Sequence, residues 1–69
     1  MDKIIEINGE AQPLSVATLG ALLADNGIEA GGRGVAVALN GAMVPRAAWP
    51  NTPLNAGDAV EIVRAKQGG

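Results

Sequence analysis

Two stretches of this chain, IIEINGEAQP and VAVALNGAM, follow one plan: an alternating run enters Asn-Gly, and a short extended run leaves it. In the first, Ile5 and Ile7 fall on one side of a strand, with Ile4 and Glu6 on the other. In the second, Val35, Val37 and Leu39 oppose Ala36 and Ala38. A period of two is the mark of a strand with one face buried. Asn8-Gly9 and Asn40-Gly41 supply the two positive φ values of a type I′ hairpin turn. A slip of one residue would turn every apolar side chain to the wrong face, so these hairpins set which residues form a core. The returning strand of the first hairpin carries Pro13, which cannot donate to a ladder and belongs on a sheet edge.

The segment TLGALLADNGI reads as the helix. Leu19, Leu22 and Leu23 recur at the spacing of one helical face. Thr18 is the expected N-cap, with Ser15 as the alternative, and Gly27 suits the left-handed position that ends a helix, leaving Ile28 to fold back onto Leu23. Two turns do not persist alone in water, so a sheet must hold them. EAGGRG is a mobile connection by composition, and RAAWPNTPL, rich in proline, reads as an irregular crossover or a single 3₁₀ turn. Gly57-Asp58 closes a turn into AVEIVR, the last strand, with Val60 and Ile62 inward. The expectation is an α+β domain of order β-β-α-β-β-β over residues 1–64, about five strands in a mixed sheet with one helix packed across it. Residues 65–69 form a flexible C-terminal tail in this reading.

Composition removes most chemistries. The 69 residues contain no cysteine and no histidine. Disulfides are excluded, and no zinc, haem or iron–sulfur site is expected. A chain this short buries only ~60% of its unfolded surface, so its core must pack well. Net charge is −2 with Trp49 the sole aromatic, which argues against nucleic acid, whose phosphates demand cations and whose bases favour stacking rings. No apolar run nears the ~20 residues of a membrane span, and the opening MDKIIEINGE lacks the form of a signal peptide. A cytoplasmic protein is expected.

Catalytic parts are equally scarce. GGRG lacks the Gly-Lys-Ser/Thr of a phosphate cradle and follows a helix instead of a strand. Asp58 and Glu61 form no evident acid/base pair and read as solvated surface. Trp49 reads as a lid over one end of the core, and Arg46 either as a partner contact or as an ordinary surface arginine. The terminal pair Gly68-Gly69 stands apart. With this chain's glycine content such an ending arises by chance in roughly 2% of cases, so it needs support from elsewhere in the sequence.

That support lies in GVAVALNGAMVPRAAW, then PLNAGDAVEIV, then the closing GG. Together they resemble the sulfur carrier proteins of thiamine biosynthesis, the ThiS family, with Asn40, Val44, Pro45, Arg46, Trp49, Gly57, Asp58, Gly68 and Gly69 on matching positions. The resemblance implies a ubiquitin-like β-grasp fold and a carrier that is not itself an enzyme, with no catalytic or metal-ligating residue. It implies that the Gly69 carboxylate is adenylated by an E1-like adenylyltransferase at the expense of ATP. A cysteine-derived sulfur donor system then converts it to a thiocarboxylate, which thiazole synthase uses; no cofactor is bound. Gln67 and Gly68 would thread into the partner's channel, where a residue without Cβ enters freely and leaves the acyl carbon open.

Strand alternation adds a candidate partner surface on the sheet face away from the helix: Ile4, Ala36, Ala38, Ala59 and Val63, with Arg46 as a further contact. Three alternatives remain open at this level. They are a carrier like the small subunit of molybdopterin synthase, a ubiquitin-like modifier joined through Gly69 to lysine, and a β-grasp binding module whose glycines are incidental.

Overall fold

The computed structural model describes residues 3–28 and 33–64. It contains β1 (Ile4–Ile7), β2 (Glu10–Pro13), α1 (Leu19–Asp25), β3 (Val35–Leu39), β4 (Ala42–Met43), a 3₁₀ segment η1 (Arg46–Asn51) and β5 (Ala59–Arg64). The strands form one mixed sheet ordered β2-β1-β5-β3-β4. β5 runs parallel to β1 and antiparallel to β3, so the last strand is the sheet's centre. This is the β-β-α-β-β-β order and the α+β class that the hydrophobic pattern predicts.

Both Asn-Gly turns adopt the expected geometry. Asn8 and Asn40 have φ 51°, followed by Gly9 at 84° and Gly41 at 85°. β2 lies on the edge, where Pro13, paired with Ile4, leaves no central ladder bond unmade.

Thr18 is the helix cap, accepting a bond from the Ala21 N–H at 3.2 Å. At the other end Ile28 N–H donates to Leu23 O (2.9 Å) and Gly27 N–H to Ala24 O (3.1 Å), with Gly27 at φ 79°. These are the two bonds of a Schellman stop. Leu19, Leu22 and Leu23 are buried against Ile5, Ile7, Val37 and Val60 from the sheet. Val35, Leu39 and Ile62 pack around them, half-buried. Leu54, Ile28 and Trp49 complete the core.

Two features differ from the sequence reading. The crossover is not a single turn but six residues of 3₁₀ helix with Pro50 inside it. Trp49, expected as a lid over one end of the core, is built into the core itself: it is 4% exposed and its indole N–H donates to Val44 O at 3.0 Å. The segment is held against the helix by close approach. A Cβ built on Gly20 would stand 3.0 Å from Pro50 Cα and 3.3 Å from the Trp49 carbonyl carbon, so the glycine in the first turn of α1 lets η1 lie directly on it.

Candidate functional site

β5 organises the site because both hairpin turns are bonded to it. The Asn8 side-chain oxygen accepts from Ile62 N–H at 2.8 Å, and the Asn40 oxygen accepts from Ala59 N–H at 2.9 Å. Asn40 also donates to Asp58 at 3.0 Å, while the other Asp58 oxygen accepts from Asn55 N–H at 2.8 Å. The bond from Asn40, and secondarily that from Asn55, holds the Asp58 carboxyl below its ordinary pKa. Asn40 and Asp58 therefore act together as a staple for the turn that launches β5. Sequence reasoning named both residues without pairing them. At the far end of β5 the Arg64 guanidinium donates to the Asn26 carbonyl at 3.3 Å, tying the strand's exit to the end of α1.

The sheet's outer face is set by register. Glu6 lies beside Ala59, Glu61 beside Ala38, Val63 beside Ala36, and Ala38 in turn beside Met43. Ile4 stands two residues before Glu6 on the same side. The structure thus brings Ile4, Ala36, Ala38, Ala59 and Val63 onto one surface. Ala36 is exposed, and Ala38 and Ala59 are half-buried, forming a low floor. Ile4 (42% exposed), Val63 (61%) and Met43 (68%) rise from it. They are the large hydrophobic side chains that the described part of the chain leaves in solvent, and all three share this face.

Arg46 does not join them. It opens η1 and lines an apolar groove with Gly20, Leu23, Ile28 and Trp49, on the helix side of the sheet. Proximity to β4 in sequence is misleading here, because Val44 and Pro45 turn the chain away from the outer face. Met43 is the residue that the sequence reading missed. Its signal was the Asn40-Gly41 turn, whose fixed two-residue loop pairs Ala38 with Met43.

The expected reactive positions, Gly68 and Gly69, and the threading residue Gln67, lie outside the described residues, as does all of the 65–69 segment. Part of the connection EAGGRG, residues 29–32, lies outside them too. Among the described residues no group of three carboxylates is placed to hold a metal ion, and no buried side-chain polar atom lacks a partner. No helix is long and apolar enough to cross a membrane. What the described residues offer is a firmly stapled scaffold with one apolar face, and its central strand leads toward Gly69.

Comparison with known proteins agrees with that arrangement. The model of the ThiS family matches residues 1–69. The Sulfur carrier protein ThiS of Thermus thermophilus is 41% identical over 66 residues, covering 96% of this chain and all of the relative. The crystal structure of a thiamine biosynthesis protein (ThiS) from Geobacter metallireducens superposes with a TM-score of 0.76 at 30% identity, covering 96% of this chain and 99% of the other. A solution NMR structure of a Geobacter metallireducens thiamine biosynthesis protein gives 0.74 at 30% identity, covering all of this chain and 88% of that one. Fold, length and sequence converge on the ubiquitin-like β-grasp, and the chain belongs to the ThiS family.

Proposed function

We propose that this protein is a sulfur carrier of thiamine biosynthesis, a cosubstrate rather than an enzyme, whose working group is the Gly69 carboxylate. The observation that carries the reading is the family match along residues 1–69, which takes in Gly68 and Gly69. The 1–64 domain presents the terminus, and residues 65–69 carry it into partner active sites in the cytoplasm. The chain binds no cofactor of its own; ATP belongs to the activating partner, an E1-like adenylyltransferase.

The chemistry follows from what a carboxylate lacks. As an anion it is a poor electrophile, so one of its oxygens attacks the α-phosphorus of ATP and pyrophosphate leaves. The resulting acyl adenylate has a good leaving group. Sulfur released at the sulfide level, as hydrosulfide, by a cysteine-derived donor system attacks the acyl carbon, the carbon–oxygen bond to AMP breaks, a proton is lost, and a thiocarboxylate remains. Thiazole synthase then takes the sulfur from that group. Glycine at 68 and 69 keeps the acyl carbon open and admits backbone angles closed to other residues. The outer sheet face, with Ile4, Ala36, Ala38, Ala59 and Val63, is the docking surface in this scheme, since large apolar side chains exposed together on one face of a small protein mark an interaction site.

Pyrophosphate exchange with the purified activating enzyme tests the reading. Wild-type protein should support ATP-dependent exchange. Deleting Gly69 draws the carboxylate back by ~3.5 Å, and a misplacement of even ~1 Å can cost ~100-fold, so exchange should fall by orders of magnitude. Gly69→Val keeps the length but sets a branched side chain beside the acyl carbon, with the same expected loss. Exchange at the wild-type rate in either variant would remove Gly69 from its role.

A further inference from the structure

The outer face is not uniformly apolar. Glu6 on β1 and Glu61 on β5 are both exposed and both point to that side. Glu6 is registered with Ala59, two residues before Glu61, which makes the two carboxylates diagonal neighbours on adjacent strands. The spacing of parallel strands and the rise of two residues put such positions ~8 Å apart. They lie across the middle of the patch, with Ile4 on one flank and Val63 and Met43 on the other. No described strand residue brings a cation to this face. The arginine of β5, Arg64, alternates to the helix side and is engaged with Asn26.

This charge pattern selects among occupants. A second copy of the chain stacked on the same face would bring its own carboxylates against these in a drying interface, with no strand cation on either side to answer them. An anionic lipid surface or a nucleic acid would be repelled for the same reason. The pattern fits a protein surface that is apolar around the edge and cationic at the centre. The step that joins an anionic terminus to an anionic nucleotide also calls for a partner that supplies positive charge.

We propose that Glu6 and Glu61 form a two-point electrostatic key within the apolar face, received by Lys or Arg side chains of the activating enzyme. This deepens the carrier reading and rests on it. The apolar rim supplies desolvation, and the carboxylates steer the encounter and set the angle at which the sheet docks. Charges at such positions act chiefly on association and on its salt dependence.

The test is pyrophosphate exchange by the full-length protein and its activating enzyme, measured against carrier concentration at low and high salt. Glu6→Gln/Glu61→Gln and Glu6→Lys/Glu61→Lys are compared with wild type after circular dichroism confirms their fold. The glutamine pair should flatten the fall of kcat/KM with salt. The lysine pair should raise KM by about tenfold or more at low salt, with kcat retained. Wild-type KM and salt dependence in the lysine pair would overturn the key, as would a loss confined to kcat. Should the lysine pair not fold, the uncharged, near-isosteric glutamine pair decides the matter through its salt dependence alone. No exchange even with wild type would overturn the carrier reading and the key with it, an outcome distinct from normal exchange by every variant.

Discussion

Asn40 and Asp58 are 18 positions apart in the chain, yet they meet at 3.0 Å and fix the start of the central strand. Because their bonding favours the ionised carboxyl, the folded-state pKa of Asp58 lies below its unfolded value. Its contribution to stability is therefore present above about pH 3.9 and lost as pH falls through the depressed folded value. Asp58→Asn should lower the urea midpoint at neutral pH, and the gap from wild type should narrow as the solution is acidified toward that range. A gap that stayed constant with pH would mean the charge plays no part in the staple. Gly20 makes a second single-residue case. Alanine there would gain up to ~1 kcal/mol of helix propensity, but its Cβ would press on Pro50 and Trp49 backbone, which cannot swing aside like a side chain. Overpacking of this kind costs ~1–3 kcal/mol, so Gly20→Ala should lower the melting temperature. A rise would show that η1 lifts off the helix without penalty.

Among the elements, α1 is the one most dependent on its surroundings. It has seven residues, too few to persist alone, and is held by a Thr18 cap, a Schellman stop and three buried leucines. Leu22→Ala should cost ~2–5 kcal/mol. Total stability at ~0.05–0.15 kcal/mol per residue is ~3–10 kcal/mol for a chain of this length, so the melting temperature followed by circular dichroism should fall by ~8–40 °C. A native spectrum and melting temperature would mean that the leucine face is not the one that carries the packing. The hairpins, the helix and its caps were legible in the sequence because each rests on local chemistry: Asn-Gly turns, leucine spacing, a threonine and a glycine at the right ends. The 3₁₀ segment was legible as an irregular crossover or a single 3₁₀ turn but not at its six-residue length, since proline suppresses the periodicity by which a helix is recognised. Gly20 gave no local sign, because close approach is a property of the partner element. The outer face was legible as far as strands alternate. Met43 escaped because β4 has two residues, too few for alternation, and Arg46 was grouped with that face although the chain turns at Pro45.

At the scale of the whole molecule, the described residues form a sheet whose last strand is its central one. Bonds from both hairpin turns and from the end of the helix converge on it. A fold built this way pairs β5 on both sides, and the chain continues five residues beyond Arg64 to Gly69. In the proposed scheme the domain contributes position and a docking face, and the terminal carbonyl carbon contributes the reactivity. Changes at the terminus and changes in the core should accordingly separate: Gly69 variants should keep the wild-type melting curve. The most direct measurement is the intact mass of protein purified from its own thiamine-starved cells, with fragmentation of the C-terminal peptide. The account predicts a population heavier by the exchange of one oxygen for sulfur, with the added mass on Gly69 and abolished by its deletion. An unmodified terminus under those conditions, or Gly69 found in amide linkage to a lysine of another protein, would contradict it.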